Sequence, residues 1–329
     1  LMKLRPAGQE RQMKLRYMLA ALVVLSLISL FVGVKDISPL ELMKLGDDQV
    51  QVLLISRVPR LIGIIIAGVS MGIAGLVMQQ LSRNKFVSPT TGGTDDSARL
   101  GILVSLMLFP SATSLQKMLV AFVFALAGTF VFMKILDKVK YKDAIFIPLV
   151  GLMFGNIVTS VATFFAYKYD LIQSLASWLQ GNFALTMKGR YELLYVSIPV
   201  VVLAYLYANR FTIAGMGEEF SVNLGLSYRQ VVNIGLAIVA LISSVVMLTV
   251  GTIPFLGLII PNIVTLYRGD NLQKNLPHTA VLGALFVLAC DILGRVIIYP
   301  FEIPIGLTVG VLGSAIFLYL LIRRRAYDV

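Results

Sequence analysis

Apolar residues occupy this chain in blocks of about 20, set off by short polar interruptions, which is the length a helix needs to cross a bilayer. Ten such blocks are legible, near 15–34, 60–82, 98–110, 118–136, 143–166, 191–208, 230–250, 254–267, 277–297 and 304–322. The pattern predicts an all-α polytopic membrane protein of about ten transmembrane helices. Two blocks are irregular. The third follows the polar stretch Thr90 to Arg99, and the eighth is interrupted by Pro254, Gly257 and Pro261. Broken segments of this kind belong against protein or along a cavity, because lipid cannot satisfy freed backbone groups.

Two connections have helical patterning of their own. Ser174 to Gly181 has helical apolar spacing and carries the one tryptophan, Trp178. Gly215 to Tyr228 (GMGEEFSVNLGLSY) reads as two short helices, with Glu218 and Glu219 beginning one and Gly225 ending it. At the amino end, Met2-Lys3-Leu4-Arg5 is echoed by Met13-Lys14-Leu15-Arg16. Residues 1–12 therefore read as an expression leader or amino-terminal extension, and 13–329 as one transmembrane domain.

Composition sharpens the class. Of 329 residues 58% are hydrophobic and 14% charged, with mean hydropathy +0.87, against roughly 25% charged in a soluble domain. The net charge of +11 concerns membrane orientation rather than nucleic acid. With the amino terminus inside, inner segments hold Lys14, Arg16, Arg83, Lys85, Arg99, Lys134, Lys138, Lys140, Lys142, Arg210, Arg229, Arg268, Lys274 and Arg323 to Arg325. Outer segments hold about half as many, so both termini are expected in the cytoplasm. One cysteine, Cys290, and one histidine, His278, exclude a disulfide framework and a His-rich metal site. No GxxxxGK[ST] phosphate loop occurs, so ATP is not bound here in that way.

Charges inside apolar spans are the first place to seek function. Asp291 and Arg295 stand four apart and can pair along one helix face. They read either as a local ion pair or, with Arg57 and Arg60 of the RVPR sequence, as an outer patch suited to carboxylates of an acidic partner. Arg57 and Arg60 also read as snorkelling interface residues. Asp95 and Asp96 favour the start of the third helix through its dipole, and Pro89 with Gly92-Gly93 suits either a solvated loop or a chain bending at the mouth of a pathway. The Glu218 to Gly225 turn is a solvated connector or a knob that docks into a cytoplasmic groove. Cys290 and His278 read as structural.

Four stretches then carry a resemblance: RVPRLIGIIIAGVSMGIAGLVMQQLSRN (57–84), GEEFSVNLGL (217–226), PFLGLIIPNIV (254–264) and 276–325 with its FEIPIG element. In this order they resemble the FecCD-like permease subunits of type II ABC importers for iron-siderophores, haem and vitamin B12. The resemblance spans essentially 13–329 and runs toward Gram-positive permeases for catecholate siderophores, petrobactin-type included. It implies a type II importer permease fold of ten helices, a second permease subunit (identical or homologous), two cytoplasmic ATPases that bind ATP and Mg, and an extracellular siderophore-binding lipoprotein. The chain itself would hold no cofactor or metal and catalyse no reaction, and would sit in the cytoplasmic membrane of a bacterium. Gly217, Glu218, Glu219, Asn223, Leu224 and Gly225 would then couple to the ATPase, and Arg57, Arg60 and Arg295 would meet glutamates of the binding protein. Asn84, Phe86, Pro89, Asp143 and Ala144 align with gate regions. The sequence departs from many relatives at Lys85, Phe86 and Thr94 to Ser97, and has Ile260-Pro261-Asn262 where the family often has I-P-H.

Without His/Cys clusters, such a pathway would carry iron already wrapped in its chelator. The competing class is an ion-coupled secondary transporter, for which Asp291 is the one membrane-embedded carboxylate the spans offer. An intramembrane protease would have to use His278, near the cytoplasmic edge.

Overall fold

The computed structural model describes residues 14–33, 47–138, 146–186 and 191–325. Each of the ten apolar blocks holds a helix, which gives the all-α architecture its element order. The chain runs through α1 (Leu15–Phe31), α2 (Asp47–Val52), α3 (Val58–Leu81), α4 (Thr94–Leu108), α5 (Ser114–Lys138), α6 (Phe146–Lys168) and α7 (Ile172–Leu179). It continues through α8 (Ser197–Leu206), α9 (Ala208–Ala214), α10 (Glu218–Asn223), α11 (Tyr228–Val250), α12 (Leu256–Arg268), α13 (Leu272–Val296) and α14 (Ile305–Arg325). Among the described residues five helices are long and apolar enough to cross a membrane alone, and the segment Glu192–Leu206 with α9, bent by 60°, passes the same test as a broken pair. Helices α1, α12 and α14 are shorter apolar elements.

Helix α3 is the centre of the bundle, packed against α13, α12, α11, α8 and α9. Its glycines allow that density of neighbours. In a membrane no hydrophobic gain separates helix contact from lipid contact, so close backbone approach through small residues carries association. A Cβ on Gly68 would stand 2.7 Å from the backbone of Gly283 and Ala284 on α13. The Gly75 notch faces the carbonyl of Gly257 at the start of α12. That carbonyl has no helical donor, because residue four ahead is Pro261, which lacks an N–H.

Three local readings change. The second span begins at Val50 rather than near 60, because α2 and a π-helical turn over Leu53–Arg57 extend its amino-terminal end. The block 191–208 is not one straight span: a 3-10 turn over Glu192–Val196 leads into α8, and the chain bends at Tyr207. The Gly215 to Tyr228 stretch contains one short helix, α10, rather than two. Its end is closed by Gly225 at φ +75°, with the Gly225 N–H bonded to the Val222 carbonyl and the Leu226 N–H to the Ser221 carbonyl. This is the Schellman arrangement, and the residues after it simply lead into α11.

Candidate functional site

Polar chemistry gathers at the two ends of α3. At its amino-terminal end the three arginines come together, and they point inward. Arg60 donates from Nη2 and Nε to Asp291 Oδ1 at 2.8 and 3.2 Å, and from Nη1 to Glu302 Oε2 at 2.7 Å. Arg295 Nη2 lies 2.6 Å from Asp291 Oδ2, which confirms the expected i,i+4 pair. Arg295 also donates from Nη1 to the carbonyls of Ser29 and Val32 at 3.0 and 2.9 Å, and from Nη2 to the Ser29 hydroxyl. Arg57 donates to the Leu30 carbonyl at 2.6 Å.

Arg57, Arg295 and Asp291 are only 8, 5 and 4% exposed. The snorkelling reading of Arg57 and Arg60 is therefore replaced: their heads are held by protein, not by water. The last turn of α1 leaves carbonyls without intrahelical donors, and two guanidiniums supply them. Buried guanidiniums fit this task because their rigid fork can satisfy several acceptors at once. Glu302 is the most open member, with 28% of its side chain exposed.

At the opposite end of α3 stand most of the residues expected from the sequence to form the gate and the coupling turn. Asn84 accepts from the Phe86 N–H at 2.9 Å, and Lys85 Nζ lies 2.7 Å from Asp270 on the α12–α13 turn. Phe86, half exposed, meets Phe317 of α14 edge-on at 6.0 Å. Pro89 is buried against Gly257. Asn262, where relatives often have histidine, donates to the carbonyls of Lys85 and Leu258, both at 2.7 Å. Asn84, Phe86 and Pro89 thus form one turn bound to α12 and α14. Asp143 and Ala144 lie outside the described residues.

Glu218, Glu219, Asn223, Leu224 and Gly225 are exposed on and after α10, and Gly217 is buried at its foot with φ +115°. Ser221 donates to the Gly217 and Ile213 carbonyls at 2.6 and 3.1 Å, fixing α10 to the end of α9. A cavity of about 480 Å³ beside α10 is lined by Glu218, Val222 and Tyr228 to Gln230 among others. Exposed Met216, Phe220, Val222 and Leu224 surround the two glutamates. This is an apolar knob with an acidic start.

One set of residues is absent from the sequence reading. Between Leu119 and Val131 the exposed side chains of α5 are all apolar, with Gln116, Lys134 and Lys138 exposed toward its ends. On α6, by contrast, exposed Met153, Asn156, Ser160 and Phe164 form one stripe. Nearby, Thr159 donates to Asp96 at 2.6 Å, joining α6 to the first turn of α4. The i,i+4 recurrence of Asn and Ser in an apolar block is the signal that would have found this stripe.

Comparison with known proteins gives a consistent result. A model of the FecCD transport family matches residues 21–323. The petrobactin import system permease protein YclN of Bacillus subtilis is 68% identical over 315 residues, covering 96% of this chain and all of that one. The petrobactin import system permease protein FatD of Bacillus anthracis is 41% identical over 303 residues, covering 92% of this chain and 89% of that one. A solved inward-facing conformation of a metal-chelate type ABC transporter shares the fold, with TM-score 0.83 over 94% of this chain and 98% of that chain at 21% identity.

Proposed function

The chain belongs to the FecCD transport family, and from that premise we propose that it is the permease subunit of an ATP-driven importer for a ferric siderophore of the petrobactin type. The observation that carries the substrate is the 68% identity to a petrobactin permease across that protein's whole length. The α10 end of the bundle faces the cytoplasm, where the exposed knob seats in an ATPase. ATP and Mg belong to that ATPase. The arginine end faces outward, toward a siderophore-binding protein, and both termini are cytoplasmic. A second permease subunit, identical or homologous, completes the pathway.

The α6 stripe fits that pathway. An asparagine turned to lipid leaves its amide unsatisfied, so polar groups on an exposed membrane helix belong against protein or a water-filled passage. Weak hydrogen-bonding groups suit a chelate that must enter and leave. Replacing Asn156 and Ser160 together by leucine is expected to lower uptake on the order of tenfold, the equivalent of one or two lost hydrogen bonds. Protein level should not change. Uptake equal to wild type would place α6 away from the passage.

The arginine end docks the binding protein through residues already engaged within the chain. Arg60 is the least buried of the three arginines, and in its absence Asp291 keeps Arg295. Arg60→Gln is expected to weaken capture of the loaded binding protein roughly tenfold and to flatten its salt dependence. An unchanged Kd across a salt series would remove the docking role.

The substrate is tested by uptake of radiolabelled iron into cells with and without this gene. Loss of ferric petrobactin uptake, with ferric hydroxamate and citrate uptake retained, is the expected result. The reverse selectivity would contradict the assignment.

A further inference from the structure

We propose that α3 is a rod that transmits motion between the two ends of the permease, and that Arg83 is the positioning residue joining this rod to α10. The inference rests on the importer reading above, and adds the path by which an ATPase at α10 reaches the binding-protein end. Helix α3 runs unbroken from Val58 to Leu81, a length of about 36 Å at the α-helical rise. Its first turns carry Arg60, and Arg57 immediately precedes it. Its last turns carry Gln80, and Arg83 stands two residues past its end, after the cap Ser82.

The inner contacts are built around two glycines. Gln80 lies directly on Gly215, and its Nε2 is 3.5 Å from the Thr212 carbonyl. Arg83 Nη1 stands 3.3 Å from the place a Cβ would occupy on Gly217, the residue before α10. Arg83 itself has φ +47°, a conformation uncommon for a residue with a side chain. The chain leaves α3 through that turn with the guanidinium beside the foot of α10. Glu218 and Arg83 both act electrostatically on the phenol of Tyr228, the first residue of α11. Gln80 and Arg83 thus place the end of α3 against the end of α9 and the foot of α10, and α10 is too short to move without its foot.

At the other end, Arg60 joins α3 to α13 and to Glu302, while Arg57 joins it to α1. Densely packed helices shift as units between discrete arrangements. A displacement of α10 that carries Arg83 shifts α3, and with it the arginines that face the binding protein. Arg83 is exposed, so truncating it opens no cavity.

The test uses the assembled importer in nanodiscs, with its ATPases, and loaded binding protein added. ATP hydrolysis is measured with and without the binding protein for wild type, Arg83→Ala and Arg83→Lys. Arg83→Ala is expected to retain its ATPases and its basal hydrolysis, while stimulation by the binding protein falls roughly fivefold or more, within the usual range of coupling between sites. Arg83→Lys should restore most of the stimulation, because it keeps the charge beside Gly217 and Glu218. Wild-type stimulation in Arg83→Ala overturns the inference, as does loss of the ATPases from that variant, which would make Arg83 an assembly contact. A wild-type complex that holds no ATPase, or ignores the binding protein, instead brings down the importer reading and the inference with it.

Discussion

Reversing Glu218 and Glu219 to arginine abolishes siderophore uptake while the protein still reaches the membrane. Both side chains are exposed in the first turn of α10, and the Schellman closure at Leu224 to Leu226 does not involve them. The local cost is the lost interaction with the helix amino terminus, about 0.3–1 kcal/mol per charge, and a bundle of this size tolerates that. The functional cost is larger. Like charge placed against a groove that accepts acidic side chains costs several kcal/mol, so uptake should fall by roughly a hundredfold or more. Membrane content of the variant, co-purification of the ATPase and uptake are measured together. Normal uptake with normal ATPase association would show that α10 is a solvated connector, the plainer alternative for such a loop.

Replacing Asp291 by leucine should be the most destabilising single change at the arginine end. Asp291 is the carboxylate between Arg60 and Arg295, and its side chain is 2% exposed. Removing one partner of a buried ion pair leaves the other charge uncompensated, at about 3–5 kcal/mol. Here two guanidiniums lose their counter-charge, although Glu302 retains Arg60. The double variant Asp291→Leu with Arg295→Leu should recover part of the loss, since it buries no orphaned cation, although the tie to Ser29 and Val32 of α1 goes with it. Thermal unfolding in detergent reads both. A single variant that melts with wild type would mean that water reaches the cluster and screens it.

The ten apolar blocks that hold helices were legible because a helix facing lipid needs a long apolar run, although only five or six of them reach full span length among the described residues. The sequence could not show that 191–208 bends at Tyr207, since no proline or glycine marks that position. Asp291 and Arg295 were legible as a pair because four residues is one helical turn. The partnership of Arg60 with Asp291 spans 231 positions and exists only once α3 and α13 pack through Gly68 and Gly283. Exposed arginines and buried arginines look alike in a string of letters, so the inward turn of Arg57, Arg60 and Arg295 was not readable. The carbonyls that draw Arg57 and Arg295 inward belong to the end of α1, which no motif announces. Gly225 ends α10 as its sequence signals, through a left-handed backbone, but no second helix stands in Gly215 to Tyr228 because the residues after that closure run straight into α11. Asn156 and Ser160 were readable by spacing, yet their meaning depends on knowing that α5 beside them is apolar.

As the proposed permease, the chain is half of a passage with no engine of its own. Vesicles containing the permease, with and without its ATPases, decide the matter when loaded binding protein and ferric petrobactin are outside and ATP is inside. Accumulation only when the ATPases are present, and insensitive to an uncoupler, is the expected result. Accumulation by the permease alone, collapsing with an uncoupler, would make it an ion-coupled carrier.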